Sequence, residues 1–299
     1  MNATVPVAYF AYRRADLVTR TLAALRANGV MQIHAFSDGA RGADDEADVA
    51  EVRRILRLVD WADLRLVERP VNVGIEQGLI NGISETLAAH EEIVVCEDDI
   101  EMVPGTYRYL VAALERYRNE PRAMSISAWT HPRLTPPDAH AAPHFTGRFV
   151  CWGWATWRRA WTGFPELSGA ELRDRCVARG IDLARYGGDV PAAFVGDAPK
   201  TSWDYCFGLH MMLHDGLCLL PPRSMTAHIG YDGRATHEQN HVGWEDHPEP
   251  PPPPDQIHWP PVRENLNSAE YWRRAQDPPR PSLAGRIRRR LARLLGARP

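Results

Sequence analysis

Apolar and polar positions follow two alternating periods along the first part of the chain. Short apolar runs at residues 5–10, 33–36, 64–67, 93–96 and 123–127 are separated by stretches in which apolar residues return every three or four positions. The runs predict strands and the stretches between them predict helices. Leu17, Val18, Leu22 and Leu25 form one stripe, Val49, Val52, Ile55 and Leu56 a second, and Ile80, Ile83 and Leu87 a third. Strand and helix in regular succession predict an α/β fold with a mostly parallel central sheet flanked by helices. Residues 132–143 hold four prolines and little periodicity, which predicts a surface loop. Beyond it come an aromatic segment from Cys151 to Trp161, helical stretches at 171–179 and 203–214, and an apolar run at 217–220. The four tryptophans of the aromatic segment, Trp152, Trp154, Trp157 and Trp161, read as positions spaced along a helix, with two or three of them in the core.

One run changes the picture. Ile93-Val94-Val95-Cys96 stops at Glu97-Asp98-Asp99, with Ile100 directly behind, so three carboxylates stand where a buried strand ends. Ligands of open α/β sheets bind outside the carboxyl ends of strands. Three adjacent anions repel one another there, and a hard divalent cation such as Mn2+ or Mg2+, which takes oxygen ligands and recruits phosphates, makes them tolerable. A solvated acidic turn is the plainer reading of an isolated EDD tripeptide.

Composition narrows the class. With 44% hydrophobic and 24% charged residues the chain is neither disordered nor collagenous, and no apolar window is long enough to span a bilayer. No secretory leader pattern precedes the first strand candidate, and the five cysteines show no CxxC spacing. Both features predict a cytoplasmic protein without a disulfide framework or zinc site. Net charge is −3, and six arginines fall between Arg286 and Arg298 without an acid among them, so the remainder carries −9. That excludes electrostatic capture of nucleic acid by the body. Leu283, Ile287, Leu291, Leu294 and Leu295 recur at helical spacing among those arginines, which describes a basic amphipathic helix suited to the anionic inner face of a membrane. A solvated helix packing its leucines on the body is the alternative. Residues 246–282, including five consecutive prolines, predict a stiff, extended connector to that tail.

The order of motifs resembles the GT-A glycosyltransferases, specifically inverting enzymes of the family 2 type and N-acetylglucosaminyltransferase I. The resemblance spans roughly residues 5–240 and rests on Tyr12-Arg13-Arg14-Ala15-Asp16-Leu17, Ser37-Asp38-Gly39, Glu97-Asp98-Asp99, Ser127-Ala128-Trp129, Trp152-Gly153-Trp154, Ser202-Trp203-Asp204 and His228-Ile229-Gly230. It implies a GT-A fold in which residues 1–130 bind a nucleotide sugar and residues 131–245 bind the acceptor and catalyse, followed by the connector and a tail at 283–299. Asp99 matches the last residue of the family's metal motif, and Glu97 and Asp98 match positions facing the nucleotide and the donor sugar. Arg13 matches an arginine near the base or diphosphate, and its planar fork suits phosphate. Arg14 stands where a proline is common. Asp38 corresponds to an acid that bonds the base or ribose, although an Asp-Gly pair after a strand is also an ordinary turn. Asn72 and Gly74 resemble a loop bordering the nucleotide.

Asp204 matches the catalytic aspartate that follows a tryptophan in the acetylglucosaminyltransferase motif. Its place at the start of a helical run also suits a plain first-turn residue. His228 matches a late histidine near the metal or pyrophosphate, and His237 is a weaker candidate for the same role. Trp154 and Trp203 are candidate acceptor-stacking indoles, with core packing as the alternative. The implied activity is metal-dependent, inverting transfer of a hexosyl or N-acetylhexosaminyl group from a nucleotide-diphosphate sugar, a UDP-sugar first, to the hydroxyl of a glycan, lipid-linked or small-molecule acceptor. Bacterial-type glycan, glycolipid or polysaccharide assembly is the expected setting. Two other readings stay open: a catalytically inactive GT-A-like binding subunit, and a sugar nucleotidyltransferase, which would normally carry a glycine-rich basic loop where Tyr12-Arg13-Arg14 stands.

Overall fold

The computed structural model describes residues 4–195, 202–231 and 247–276. The five anticipated strands form with ends within two residues of the apolar runs, and the three apolar stripes lie on the helices between them. In chain order these are β1 (Val7–Ala11), α1 (Ala15–Ala27), β2 (Gln32–Ser37), α2 (Ala43–Arg57), β3 (Asp63–Glu68), α3 (Gly74–Ala89), β4 (Glu92–Glu97), a short β5 (Ile100–Met102), α4 (Thr106–Tyr117) and β6 (Ala123–Ser127). The second half adds β7 (His144–Thr146), β8 (Trp154–Trp157), α5 (Arg158–Trp161), α6 (Gly169–Ala178), α7 (Asp189–Ala192), α8 (Trp203–Leu213), β9 (Leu217–Leu220), β10 (Thr226–His228) and α9 (Ser268–Gln276).

Eight strands make one mixed, mostly parallel sheet in the order β3-β2-β1-β4-β8-β6-β9-β7, and β5 and β10 pair as a separate ribbon. Alternate side chains of a strand point to opposite faces. Val94 and Cys96 of β4 therefore enter one core layer, with α1, α2 and α4, while Ile93 and Val95 enter the other, with α3, α6 and α8. Burial on both faces explains why β4 reads as an unbroken apolar run.

The aromatic segment is a correction. Trp154–Trp157 is a strand rather than part of a helix, antiparallel to both β4 and β6, with Trp154 opposite Val95 and Ser127. Only the last four residues, Arg158–Trp161, turn into a helix. Four tryptophans at mixed spacing satisfy neither period cleanly, and strand pairing decides the outcome. Because β8 runs backward, it starts where β4 ends, and Cys151, Trp152 and Gly153 are delivered to the carboxylate edge. Gly153 is required there: its φ is +73°, and a Cβ would approach Thr226 Cγ2 to 2.8 Å.

The proline-rich stretch also differs from a free connector in the part that is described. It is not extended throughout, since a 3-10 turn at Pro254–Gln256 and α9 fall within it, and residues 247–276 lie against the body: the Glu249 amide donates to the Ser224 carbonyl, Tyr117 donates to the Pro260 carbonyl at 2.7 Å, and Trp259 packs on Tyr109 and Tyr117. The loop at 132–143 is likewise tucked in at Leu134, Thr135 and Ala139, all buried. The arginine tail and His237 lie outside the described residues.

Candidate functional site

β4 carries Glu97 to the edge of the sheet, and the following turn presents Asp98 and Asp99. The β5–β10 ribbon sets Ile100 opposite His228, and the Ile229 amide donates to the Asp99 carbonyl at 2.8 Å. His228 Nε2 thereby stands 3.7 Å from Asp99 Oδ2. Gly230 closes this corner, since a Cβ there would lie 2.6 Å from Asp99 Oδ2 and 2.8 Å from Arg14 Nη1.

Arg14 is the counter-charge. Its Nη2 donates to Asp98 Oδ1 at 2.6 Å and to Asp99 Oδ2 at 2.8 Å, and the Tyr12 amide donates to Asp98 Oδ2 at 3.1 Å. Burial raises the carboxyl of Asp98 to about 6, opposed chiefly by Arg14. With a guanidinium on one oxygen and an amide on the other, the ionised form is the one this arrangement accommodates at neutral pH. Glu97 has less relief, with Arg14 opposing its rise only as the last of the contributions. Burial, reinforced by Asp99 and Asp98, drives its proton affinity well above the usual carboxylate range.

Arg13 turns the other way. Its guanidinium meets Asp45 of α2 at 2.7 Å, alongside the Tyr12 hydroxyl, which donates to the same carboxylate at 2.6 Å. Asp38 accepts the amides of Gly39, Val73 and Gly74 at 2.9–3.0 Å, and Asn72 donates to the Gly39 carbonyl at 2.8 Å. Together they knit the loop after β2 to the loop after β3. Of the candidate nucleotide contacts, only Arg14, Glu97 and Asp98 gather with Asp99 and His228.

Across from the acids, α8 begins at Trp203, which places Asp204 in its first turn. The charge of Asp204 reaches Glu97, and the half-buried Cys151 thiol is raised by desolvation, then by Asp204, Glu97 and Asp99. The charges of those three carboxylates therefore all reach one position at the start of the β8 segment. Trp154 and Trp203 are a correction. They are 0% and 5% exposed, stacked on each other at 5.8 Å and edged by Phe149, so no indole face is left for a sugar. The half-buried indole is Trp152, 4.3 Å from Trp129 and 5.5 Å from the His228 ring.

The sequence reading missed four participants. Trp152 was visible within the tryptophan motif but was not distinguished from its buried neighbours. Cys151 precedes that motif. Glu76 follows Gly74 by two residues and packs on α8. Arg148, whose charge reaches Asp204, gave no signal because its pairing to Asp189 is long-range.

Among the described residues no group of three or more His, Cys, Asp or Glu side chains converges to hold a metal ion. Asp99 and His228 supply two donors at this corner, and a cation bound through phosphates typically needs only one or two protein ligands. The donor set fits a hard divalent cation provided that Arg14 yields Asp99 Oδ2.

No family model and no curated protein matches this chain. Among solved structures, a mannosyltransferase from Pyrobaculum calidifontis in complex with GDP-mannose and Mn2+ is similar at 17% identity and a TM-score of 0.42, covering 71% of this chain and 70% of that one. Likeness at that level carries no argument about function. No described helix is long and apolar enough to cross a membrane.

Proposed function

We propose that this chain is a glycosyltransferase that moves a sugar from a nucleoside diphosphate donor to an acceptor hydroxyl, with a divalent cation and with inversion at the anomeric carbon. The observation that carries the reading is the sheet-edge cluster in which Arg14 bridges Asp98 and Asp99 with His228 Nε2 3.7 Å from Asp99, while the charge of Asp204 on α8 reaches Glu97. It sets a lone aspartate on one helix against the acids at a sheet edge, as in-line displacement demands: a base on one side of the anomeric carbon and charge stabilisation on the other.

In this reading Asp204 takes the acceptor proton as the hydroxyl oxygen attacks. Arg14, freed from one of its acids, neutralises the departing diphosphate, for which its fork is suited. Asp99 and His228 would hold Mn2+ or Mg2+, which as a Lewis acid draws charge from the leaving oxygen. Glu97, its carboxyl protonated, faces the donor sugar as a hydrogen-bond donor. Trp152 takes over the stacking role that Trp154 and Trp203 cannot fill. UDP-sugars are the first donors to test.

A second reading is favoured by one observation, the seating of Arg14 on both Asp98 and Asp99: a subunit that binds a nucleotide sugar without turnover. The two separate in one experiment. A ligand that binds only the folded state raises the melting temperature, so a panel of UDP-, GDP- and dTDP-sugars with and without Mn2+ should show one nucleotide whose stabilisation requires the metal, followed by release of the free nucleoside diphosphate. Stabilisation without release supports the binding subunit, and no stabilisation across the panel overturns both.

A further inference from the structure

The opening turn of α8 is held from outside. The first amides of a helix lack intrahelical acceptors and ordinarily find one in the N-cap side chain. Ser202 occupies the N-cap but makes no side-chain cap; its hydroxyl donates to Oδ1 of Asp204 instead. The missing acceptor comes from another helix. Glu76, in the first turn of α3, reaches across so that Oε2 accepts the amide of Trp203, the residue directly before Asp204.

We propose that Glu76 is a positioning residue for the reaction, fixing the turn that aims Asp204 at the sheet-edge acids and placing a second carboxylate beside it. The inference rests on the glycosyltransferase reading of Asp204. Glu76 is more than a hundred residues from α8 in sequence, and among the described residues its hydrogen bond and its nearest carboxylate are both in the first turn of that helix. The titratable groups that face it are Asp204 and Cys206, both on α8. Burial lifts the Glu76 carboxyl to about 7, with Asp204 adding to the rise and the Trp203 amide opposing it. Around neutral pH the residue therefore passes from neutral to charged. The charged form grips the Trp203 amide more strongly and so fixes the turn that carries Asp204, and turnover should climb as pH rises through this region.

The test is donor-dependent transfer by the whole chain across about pH 5.5 to 9 for the native protein, Glu76→Gln and Asp204→Asn, with melting curves for each. Glu76→Gln keeps an oxygen for the Trp203 amide but cannot charge. We expect it to fold, to leave the donor KM within about twofold, to lose the rise near neutral pH and to fall about tenfold in kcat on the alkaline side. A Glu76→Gln protein with the native pH profile, or with its loss confined to KM or melting temperature, overturns the inference. If Glu76→Gln fails to fold, carboxyl-carbon NMR of the native protein decides: the Asp204 signal should move in step with the titration of Glu76, and an Asp204 signal indifferent to that step sinks the idea. Failure of the underlying reading looks different, because Asp204→Asn would then leave transfer unchanged whatever Glu76 does.

Discussion

On the β4 side of the site Asp98 and Asp99 each meet Arg14 within 2.8 Å, whereas on the α8 side Asp204 has Glu76 and Glu97 as neighbours, and the guanidinium whose charge reaches it, Arg148, is already bidentate to Asp189 at 2.6 and 3.2 Å. One side carries negative charge paired directly to an arginine, and the other carries Asp204, which shares a guanidinium already engaged with Asp189. A compensated pair of acids can exchange its counter-ion for a cation and a diphosphate at little cost. An acid without a cation of its own repels phosphate, which keeps the leaving group off the acceptor side.

The comparison breaks most decisively under substitution of its two poles. Asp204→Asn should lower kcat about a thousandfold while donor affinity stays within a few-fold, because proton removal counts only in the transition state. Asp99→Asn should weaken metal-dependent donor binding and turnover together. Isothermal titration with the donor and Mn2+ checks both, and equal loss of affinity in the two variants would erase the division of labour. Trp154→Ala comes next: it removes the wall on which Trp203 and α8 rest, and should cost about 3–5 kcal/mol in urea denaturation without altering residual donor affinity. Arg14→Met strips the compensation itself. It should destabilise by about 2–3 kcal/mol, less than for a fully buried pair, and the deficit should shrink when Mn2+ is added. A variant as stable as the native chain would mean that the acids need no counter-charge. The smallest effect belongs to Asp38→Asn, about 1 kcal/mol in denaturation with donor KM changed less than threefold, since the side chain holds loops together rather than a nucleotide.

Stability should also follow pH in a direction set by Glu76. Glu76 is raised from 4.5 to about 7 on folding, so the folded chain binds the extra proton; its contribution is whole below about 4.5 and is lost as pH rises through about 7. Denaturation across that window should therefore show a decline that Glu76→Gln flattens.

How much of this was legible beforehand depended on whether the signal was local. The strand and helix succession up to residue 127 was readable because each element writes its own period. Cys96-Glu97 marks the end of an inner strand without any help from distant residues. The ribbon of β5 and β10, the reversed β8 and the role of Glu76 were not readable, since each is decided by a partner tens of positions away. Trp154 and Trp203 show the same limit from the other direction: an indole's chemistry is the same in a core and in a binding cleft, and only its neighbours tell which it occupies. Arg14 lay between these cases. Its position after β1 marked it as charged and near the site, but its hold on both Asp98 and Asp99 required the turn after β4 to be in place.

The strap formed by residues 247–276 has a practical bearing on anyone who wishes to shorten the chain. Trp259 shields Tyr109 and Tyr117, the Asn265 amide ties to the Phe145 carbonyl, and Trp272 is 4% exposed beneath the Arg148 guanidinium. A trimming point placed ahead of the prolines would strip a greasy flank and leave a product prone to clumping. Cutting after Gln276 spares that flank, so lipid-vesicle assays of the arginine-rich end are best made against a version ending there.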